Sequence, residues 1–152
     1  MYLKSDNLYI AVVECMILNN TAEGLIGDKQ ALGGGVALHS RNDYVSFIET
    51  LFHNNSATRG GAIGFYDANK FAYLYKCSFV GNEVSINGGG IYLIFNNTDI
   101  LFEECQFREN SAEYGKCCLK IMLNARYTCA IIILAMLNFF VRWSNSILDG
   151  SL

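Results

Sequence analysis

The sequence predicts an all-β fold, a parallel β-helix solenoid of about four coils of 27–28 residues plus a partial fifth. Three observations carry this expectation. Two asparagine series recur along the chain, Asn7, Asn42, Asn69, Asn97, Asn124 and Asn20, Asn55, Asn82, Asn110. Each member of the second lies 13 residues after a member of the first (7 to 20, 42 to 55, 69 to 82, 97 to 110). A constant offset inside a repeating period marks one supersecondary unit stacked on copies of itself. Apolar residues alternate at period two between the asparagines, which is the strand signature. Proline is absent and glycine numbers 14, so the chain reversals fall to Gly and Asn, the residues most tolerant of left-handed backbone angles.

Each coil begins with an apolar pair at alternate positions: Ile10 and Val12, Val45 and Phe47, Ala72 and Leu74, Ile100 and Phe102. A second strand follows in the motifs Cys15-x-Ile17-x-x-Asn20, Thr50-x-Phe52-x-x-Asn55, Cys77-x-Phe79-x-x-Asn82 and Cys105-x-Phe107-x-x-Asn110. The inward parity changes before the cysteine position, which requires a bend or bulge there. Glycine corners at residues 33–35, 60–61 and 88–90 open a third strand, with Val36 and Leu38, Ile63 and Phe65, Ile91 and Leu93 facing inward. Three short strands per coil are therefore expected. Coil stacking would place Ile17, Phe52, Phe79 and Phe107 in one internal column and the asparagines in two amide ladders.

The first coil departs from the pattern. Asn20 to Asn42 spans 22 residues where later coils use 14 or 15, so about eight extra residues leave the barrel around residues 23–30. In solenoids such insertions form loops on one face, often the binding face. The fourth coil loses its glycine corner to Gly115, Lys116, Cys117 and Cys118, yet Asn124 keeps the register and residues 127–134 read as the first strands of a fifth coil. Residues 1–137 are thus expected to form the repeat segment and 138–152 a divergent apolar tail or cap. Because Asn7 is already a ladder member and residues 1–15 show no signal-peptide pattern, the chain reads as a segment of a longer solenoid.

Net charge is -3, charged residues are 16% of the chain, and Lys and Arg are scattered. Nucleic acid needs a clustered basic surface and is excluded on that ground. The 15 uncharged residues 127–141 fall short of the roughly 20 that a membrane helix needs. They are read as a coil strand with an apolar cap, with a short membrane anchor flanked by Arg126 and Arg142 or a sequence foreign to the fold as alternatives. Membrane contact is expected only through this run.

The Phe-x-x-Asn motifs at residues 52–55, 79–82 and 107–110, with Gly-Gly-Ala-Ile at 60–63, resemble the polymorphic outer-membrane protein repeat. Over residues 7–124 the chain looks like a segment of the right-handed parallel β-helix, or pectin-lyase-like, superfamily. The resemblance implies right-handed coiling and an extracellular or surface-displayed, adhesin-like scaffold or stalk. It carries no active site, because these motifs are structural. Some members of the superfamily are polysaccharide lyases and hydrolases with clustered Asp, Lys and Arg; Arg41, Asp43, Asp67 and Lys70 fall near one corner on successive coils and are the counterpart to weigh.

Other candidates read as structural. Glu14, Glu49, Lys76 and Glu104 form an external column that is either a solvated face bridged by Lys76 or, less simply, a carboxylate pair or calcium site. His39 and His53 lie on different segments, and nothing positions a nucleophile beside either. Cys77 and Cys105 are expected to stack as small core residues, since parallel neighbours fit disulfide geometry poorly, and adjacent Cys117 and Cys118 lack zinc-ligand spacing. Sequons occur at Asn19, Asn54 and Asn96, each beside a ladder asparagine. No catalytic, cofactor-binding or metal site is assigned. The expected role is non-enzymatic, with a surface protein or polysaccharide as ligand and end-to-end self-association through uncapped strand edges; a carbohydrate-binding or polysaccharide-cleaving module is the alternative.

Overall fold

The computed structural model describes residues 1–23 and 31–116, and the backbone of 118–120. Asn124, the expected fifth-coil strands over 127–134, the tail over 138–152, Cys117 and most of the insertion lie outside the described residues; so does the side chain of Cys118.

The chain coils on itself. Its first turn carries β1 (Tyr2–Ser5), β2 (Ala11–Val13) and β3 (Met16–Leu18), and its second β4 (Val36–Ser40), β5 (Ser46–Ile48), β6 (Leu51–His53) and β7 (Ser56–Arg59). The third turn carries β8 (Ile63–Asp67), β9 (Tyr73–Tyr75), β10 (Ser78–Val80) and β11 (Glu83–Asn87). The fourth carries β12 (Ile91–Leu93), β13 (Leu101–Glu103) and β14 (Gln106–Arg108), and β15 (Cys118–Lys120) opens a fifth. Each strand pairs in parallel with its counterpart one turn away. Sheet 1 has the order β1-β4-β8-β12-β15, sheet 2 is β2-β5-β9-β13 and sheet 3 is β3-β6-β10-β14. The fourth sheet pairs β7 with β11 and is extended by isolated bridges such as Thr21 to Ser56 and Glu83 to Ser111.

Three strands per coil was therefore an undercount. Residues 56–59 and 83–87 form a fourth, whose inward positions are Ala57 and Val84. Only one clean apolar position per strand, and a register shift between Val84 and Asn87, hide its alternation.

The interior is filled by like residues stacking on like. Phe52 and Phe79 lie nearly parallel at 4.9 Å between ring centroids, and Phe79 and Phe107 at 4.6 Å. Ile17 continues the column, in register with Phe52. Sheet 1 contributes Val36, Leu38, Ile63, Phe65, Ile91 and Leu93, and sheet 2 Val45, Phe47, Ala72, Leu74, Ile100 and Phe102, all buried. Each large side chain so buried contributes roughly 1.5–3 kcal/mol.

Both asparagine ladders form. Asn55 Nδ2 donates to Asn82 Oδ1 at 3.0 Å, and Asn82 Nδ2 to Asn110 Oδ1 at 2.9 Å. In the other series Asn42 Nδ2 donates to Asn69 Oδ1 at 3.0 Å, and Asn69 Nδ2 to Asn97 Oδ1 at 2.9 Å. Each of these acceptor oxygens also takes the backbone N–H of the asparagine before it, and each Nδ2 also donates to a core-strand carbonyl, as Asn82 does to Phe52 at 3.0 Å. A buried amide is thereby fully used.

The corners are made differently from the expectation. Among the described residues the left-handed one is that before each ladder asparagine, at Asp6, Asn19, Arg41, Asn54, Ala68, Gly81, Asn96 and Glu109, while the asparagine itself turns inward. Further left-handed corners fall two residues after the first series, at Tyr9, Tyr44, Phe71 and Asp99, and at Glu14, Glu49, Lys76 and Glu104. The last set is the bend demanded by the parity change. Gly60 and Gly88 complete the circuit, and Gly61 packs so closely that a Cβ there would lie 2.4 Å from the Gly89 carbonyl oxygen.

Replacing Asn82 by Ala is expected to cost about 3 kcal/mol, because it strands the Asn55 amides and the Phe52 carbonyl, against about 1 kcal/mol for Asn87→Ala; equal denaturation midpoints for the two variants would contradict the ladder. Ala68 holds a φ of 51°, so Ala68→Gly is expected to stabilise by about 0.5–1 kcal/mol where Gly would normally destabilise. Chemical denaturation of the pair Ala68→Gly and Ala57→Gly reads the difference in sign.

Candidate functional site

The charged, histidine and cysteine candidates lie in separate places and do not converge on one centre. At the first corner Arg41 makes a two-pronged contact with Asp6, Nε to Oδ1 at 2.7 Å and Nη2 to Oδ2 at 3.0 Å. That guanidinium holds the exposed Asp6 carboxyl below its ordinary range. Asp43 accepts the backbone N–H of Lys70 at 3.0 Å, and Asp67 accepts from Asn96 Nδ2 at 3.1 Å. Arg41, Asp43, Asp67 and Lys70 thus stand near one edge, but each carboxylate answers a different local partner.

The column Glu14, Glu49, Lys76 and Glu104 is external throughout: all four are exposed left-handed corner residues between sheets 2 and 3. Lys76 pairs with Glu104 at 3.9 Å. Its ammonium is raised above the ordinary lysine range first by Tyr75, then by Glu104 and, weakly, Glu49. Exposed pairs of this kind contribute little stability. Beside it, Tyr73 donates its phenol proton to Glu103 Oε2 at 2.8 Å, which pushes Tyr73 up to about 12.

His39 lies on the outer face of sheet 1, 2.9 Å from Ser40 Oγ, and His53 lies on β6 of sheet 3. Cys77 is buried and Cys105 partly so. Cys77 Sγ donates to the Phe47 carbonyl and Cys105 Sγ to that of Leu74, both at 3.3 Å. The contact between the two thiols raises Cys77, with burial adding to it, and lowers Cys105 against the effect of burial. They pack as small core residues. Cys15, at the same repeat position, is exposed. Among the described residues no group of three His, Cys, Asp or Glu side chains is placed to hold a metal ion.

Two features were missed in the sequence. The first is an aromatic column on the corner between sheets 1 and 2. Tyr9, Tyr44 and Phe71 stack face to face at 5.0 and 4.9 Å, yet are 76%, 45% and 44% exposed. Its signal was available, since each lies two residues after a ladder asparagine. The second is a groove of about 510 Å³ over the outer face of sheet 1. His39 stacks on Tyr66 at 4.8 Å along it, and Tyr2 and Phe95 extend the row edge-on. Leu32, returning from the insertion, caps the flat spot left by Gly64, where a Cβ would lie 2.3 Å from its Cγ. Arg59 reaches over the buried ring of Tyr92 with its Nε buried and unpartnered among the described residues. No local pattern joins Leu32, Arg59 and Tyr92, which meet only when coils stack.

No known family profile matches the sequence, and no solved structure matches it. The chain is similar to the metabotropic glutamate receptor-like protein R of Dictyostelium discoideum, 29% identical over 105 residues that are 66% of this chain and 6% of that protein. It therefore spans a small fraction of the relative it matches.

The Tyr73 contact gives a pH prediction. The fold holds the neutral phenol, so its stability contribution is complete below the ordinary tyrosine value of 10.0 and is lost as pH rises through about 12. Spectrophotometric titration of tyrosinate is expected to show a phenol at about 12 that is absent in Tyr73→Phe and shifted back toward 10.0 in Glu103→Gln, while the raised phenols of Tyr92 and Tyr114 persist in both variants. A Tyr73→Phe chain that keeps as many late phenols as the parent would refute the assignment.

Proposed function

We propose that the chain is a non-enzymatic, right-handed parallel β-helix segment that works as a surface-displayed, adhesin-like scaffold. The observation that carries this reading is the column Tyr9, Tyr44, Phe71. Large aromatic side chains held outward at one-strand spacing form a preorganised apolar stripe, and such stripes mark contact surfaces for other macromolecules. The scaffold supplies the rigidity: each ring springs from a left-handed corner whose backbone N–H is bonded to the next coil, to Asp43, Lys70 or Thr98, so little backbone ordering cost remains at binding. Similarity to a short stretch of a much longer receptor-like protein supports a segment that serves a larger surface molecule. The dispersal of Arg41, Asp43, Asp67 and Lys70 over separate partners favours binding over bond cleavage.

A second reading, saccharide binding, is favoured by one specific observation, the groove over sheet 1. Its row of Tyr2, His39 and Tyr66 offers flat faces for sugar rings, and Arg59, which lines it, brings a guanidinium whose donors suit a hydroxyl or carboxylate.

The isolated chain, first shown by circular dichroism to be folded β-structure, is tested for retention on cell surfaces and on a polysaccharide array with product release followed. The scaffold reading expects retention that falls about tenfold or more in Tyr44→Ser with Phe71→Ser, equivalent to at least about 1.4 kcal/mol, and no product. Saccharide binding that falls similarly in Tyr66→Ala or Arg59→Ala would favour the second reading. Turnover lost in Asp67→Asn or Lys70→Ala would overturn both in favour of an enzyme.

A further inference from the structure

Three Asn-x-Ser/Thr triplets share one geometry. In residues 19–21, 54–56 and 96–98 the first asparagine is exposed at a left-handed corner, with φ of 54°, 53° and 44°. The second is the inward ladder member, Asn20, Asn55 or Asn97, and the third opens the next paired stretch: Thr21 bridges Ser56, Ser56 begins β7 and Thr98 bridges Lys70. The acceptor position of each sequon therefore falls on the outward residue, and the amide that the fold cannot spare falls on the unconstrained middle position. None of the ladder asparagines themselves begins a sequon.

The acceptors have room. Asn19 and Asn54 occupy the same corner on adjacent coils, where the next residue up is Gly81; a Cβ there would lie 2.6 Å from Asn54 Oδ1, so the side chain already lies across the bare glycine. Asn96, exposed, stands on the other asparagine corner, its Nδ2 donating to the half-buried Asp67 at 3.1 Å. A substituent on any of the three Nδ2 atoms leads into solvent. One on Asn55 or Asn97 would take the place of a hydrogen bond to Ile17 or Phe65.

We propose that Asn19, Asn54 and Asn96 are N-glycosylation acceptors, and that the repeat is built so that its corners bear glycans while its ladders stay bare. In the transfer the acceptor Nδ2 bonds to C1 of a lipid-pyrophosphate-linked oligosaccharide, the bond from that carbon to the pyrophosphate breaks, and lipid pyrophosphate leaves as the amide gives up one proton. The inference rests on the surface reading, because the donor and its transferase face the secretory lumen.

The test is translation of the full chain behind a cleavable secretory leader in the presence of microsomes, with translocation scored by protease protection. Protected chain is expected to show three endoglycosidase-sensitive steps, one lost in each of Asn19→Gln, Asn54→Gln and Asn96→Gln. The glycosylated chain is expected to keep its strand spectrum and to melt within about 4 °C of the deglycosylated one. Ala112→Ser writes a sequon onto ladder residue Asn110, and there the glycan is expected to lower the midpoint well beyond that margin. Protected chain without steps, steps that survive the triple variant, or equal midpoints for Asn110-modified and unmodified chain would each overturn the proposal. The surface reading fails separately: unmodified chain at the surface of its own cells ends the glycan inference alone, and chain confined to the cytoplasm there ends the surface reading while leaving the microsome result intact.

Discussion

Everything in this molecule depends on keeping successive coils in register, and the buried asparagine amide is what does so. An amide can donate and accept along one direction, so a column of them closes its own hydrogen bonds only when each coil sits directly over the last. A one-residue slip would set Asn55 against Gly81 or Glu83 and Asn82 against Glu109 or Ser111 instead of the next ladder amide, and each buried group so left unsatisfied costs about 1–3 kcal/mol. The phenylalanine column accepts the same register but does not enforce it, since apolar packing is non-directional. Register comes from the amides and most of the stabilisation from the stacked hydrocarbon.

That requirement explains the strained corners. To turn the ladder asparagine inward and still direct the chain along the next sheet, the residue before it must take left-handed angles, at roughly 1–2 kcal/mol for a residue other than glycine. The chain accepts this at Asp6, Arg41, Ala68 and Glu109 as well as at asparagines. The corners then become the places where side chains are forced outward, and so where the exposed charges, the aromatic column and the sequons all collect.

The fold was largely legible because a solenoid repeats its core residues at fixed spacing. The ladders, the Phe52, Phe79 and Phe107 column and the parity bend could be read directly. The strand at residues 56–59 could not, because Ser, Ala, Thr and Arg offer too little alternation in four positions. Corner conformation was misassigned because asparagine's tolerance of left-handed angles and its hydrogen-bonding role pointed to the same residue, whereas the two jobs are split between neighbours. Site residues were the least legible. Arg41, Asp43, Asp67 and Lys70 share a corner by spacing, but which atom meets which depends on side-chain reach, and Arg41 turns to Asp6 in the coil below. The groove needed Leu32, Gly64 and Tyr92, which are far apart in sequence and carry no shared motif.

The two amide ladders run perpendicular to the strands, along the direction in which coils stack. Covalent bonds encircle that axis and do not follow it, so a pull along it is resisted by the ladders, the sheet hydrogen bonds and the ring stacks acting side by side. Such an element is stiff until one coil lets go, and then yields a coil at a time. Its mechanical unit is the coil, 35 residues at the first turn and 27 to 28 in the later ones, and the length released at each step is set by the repeat itself.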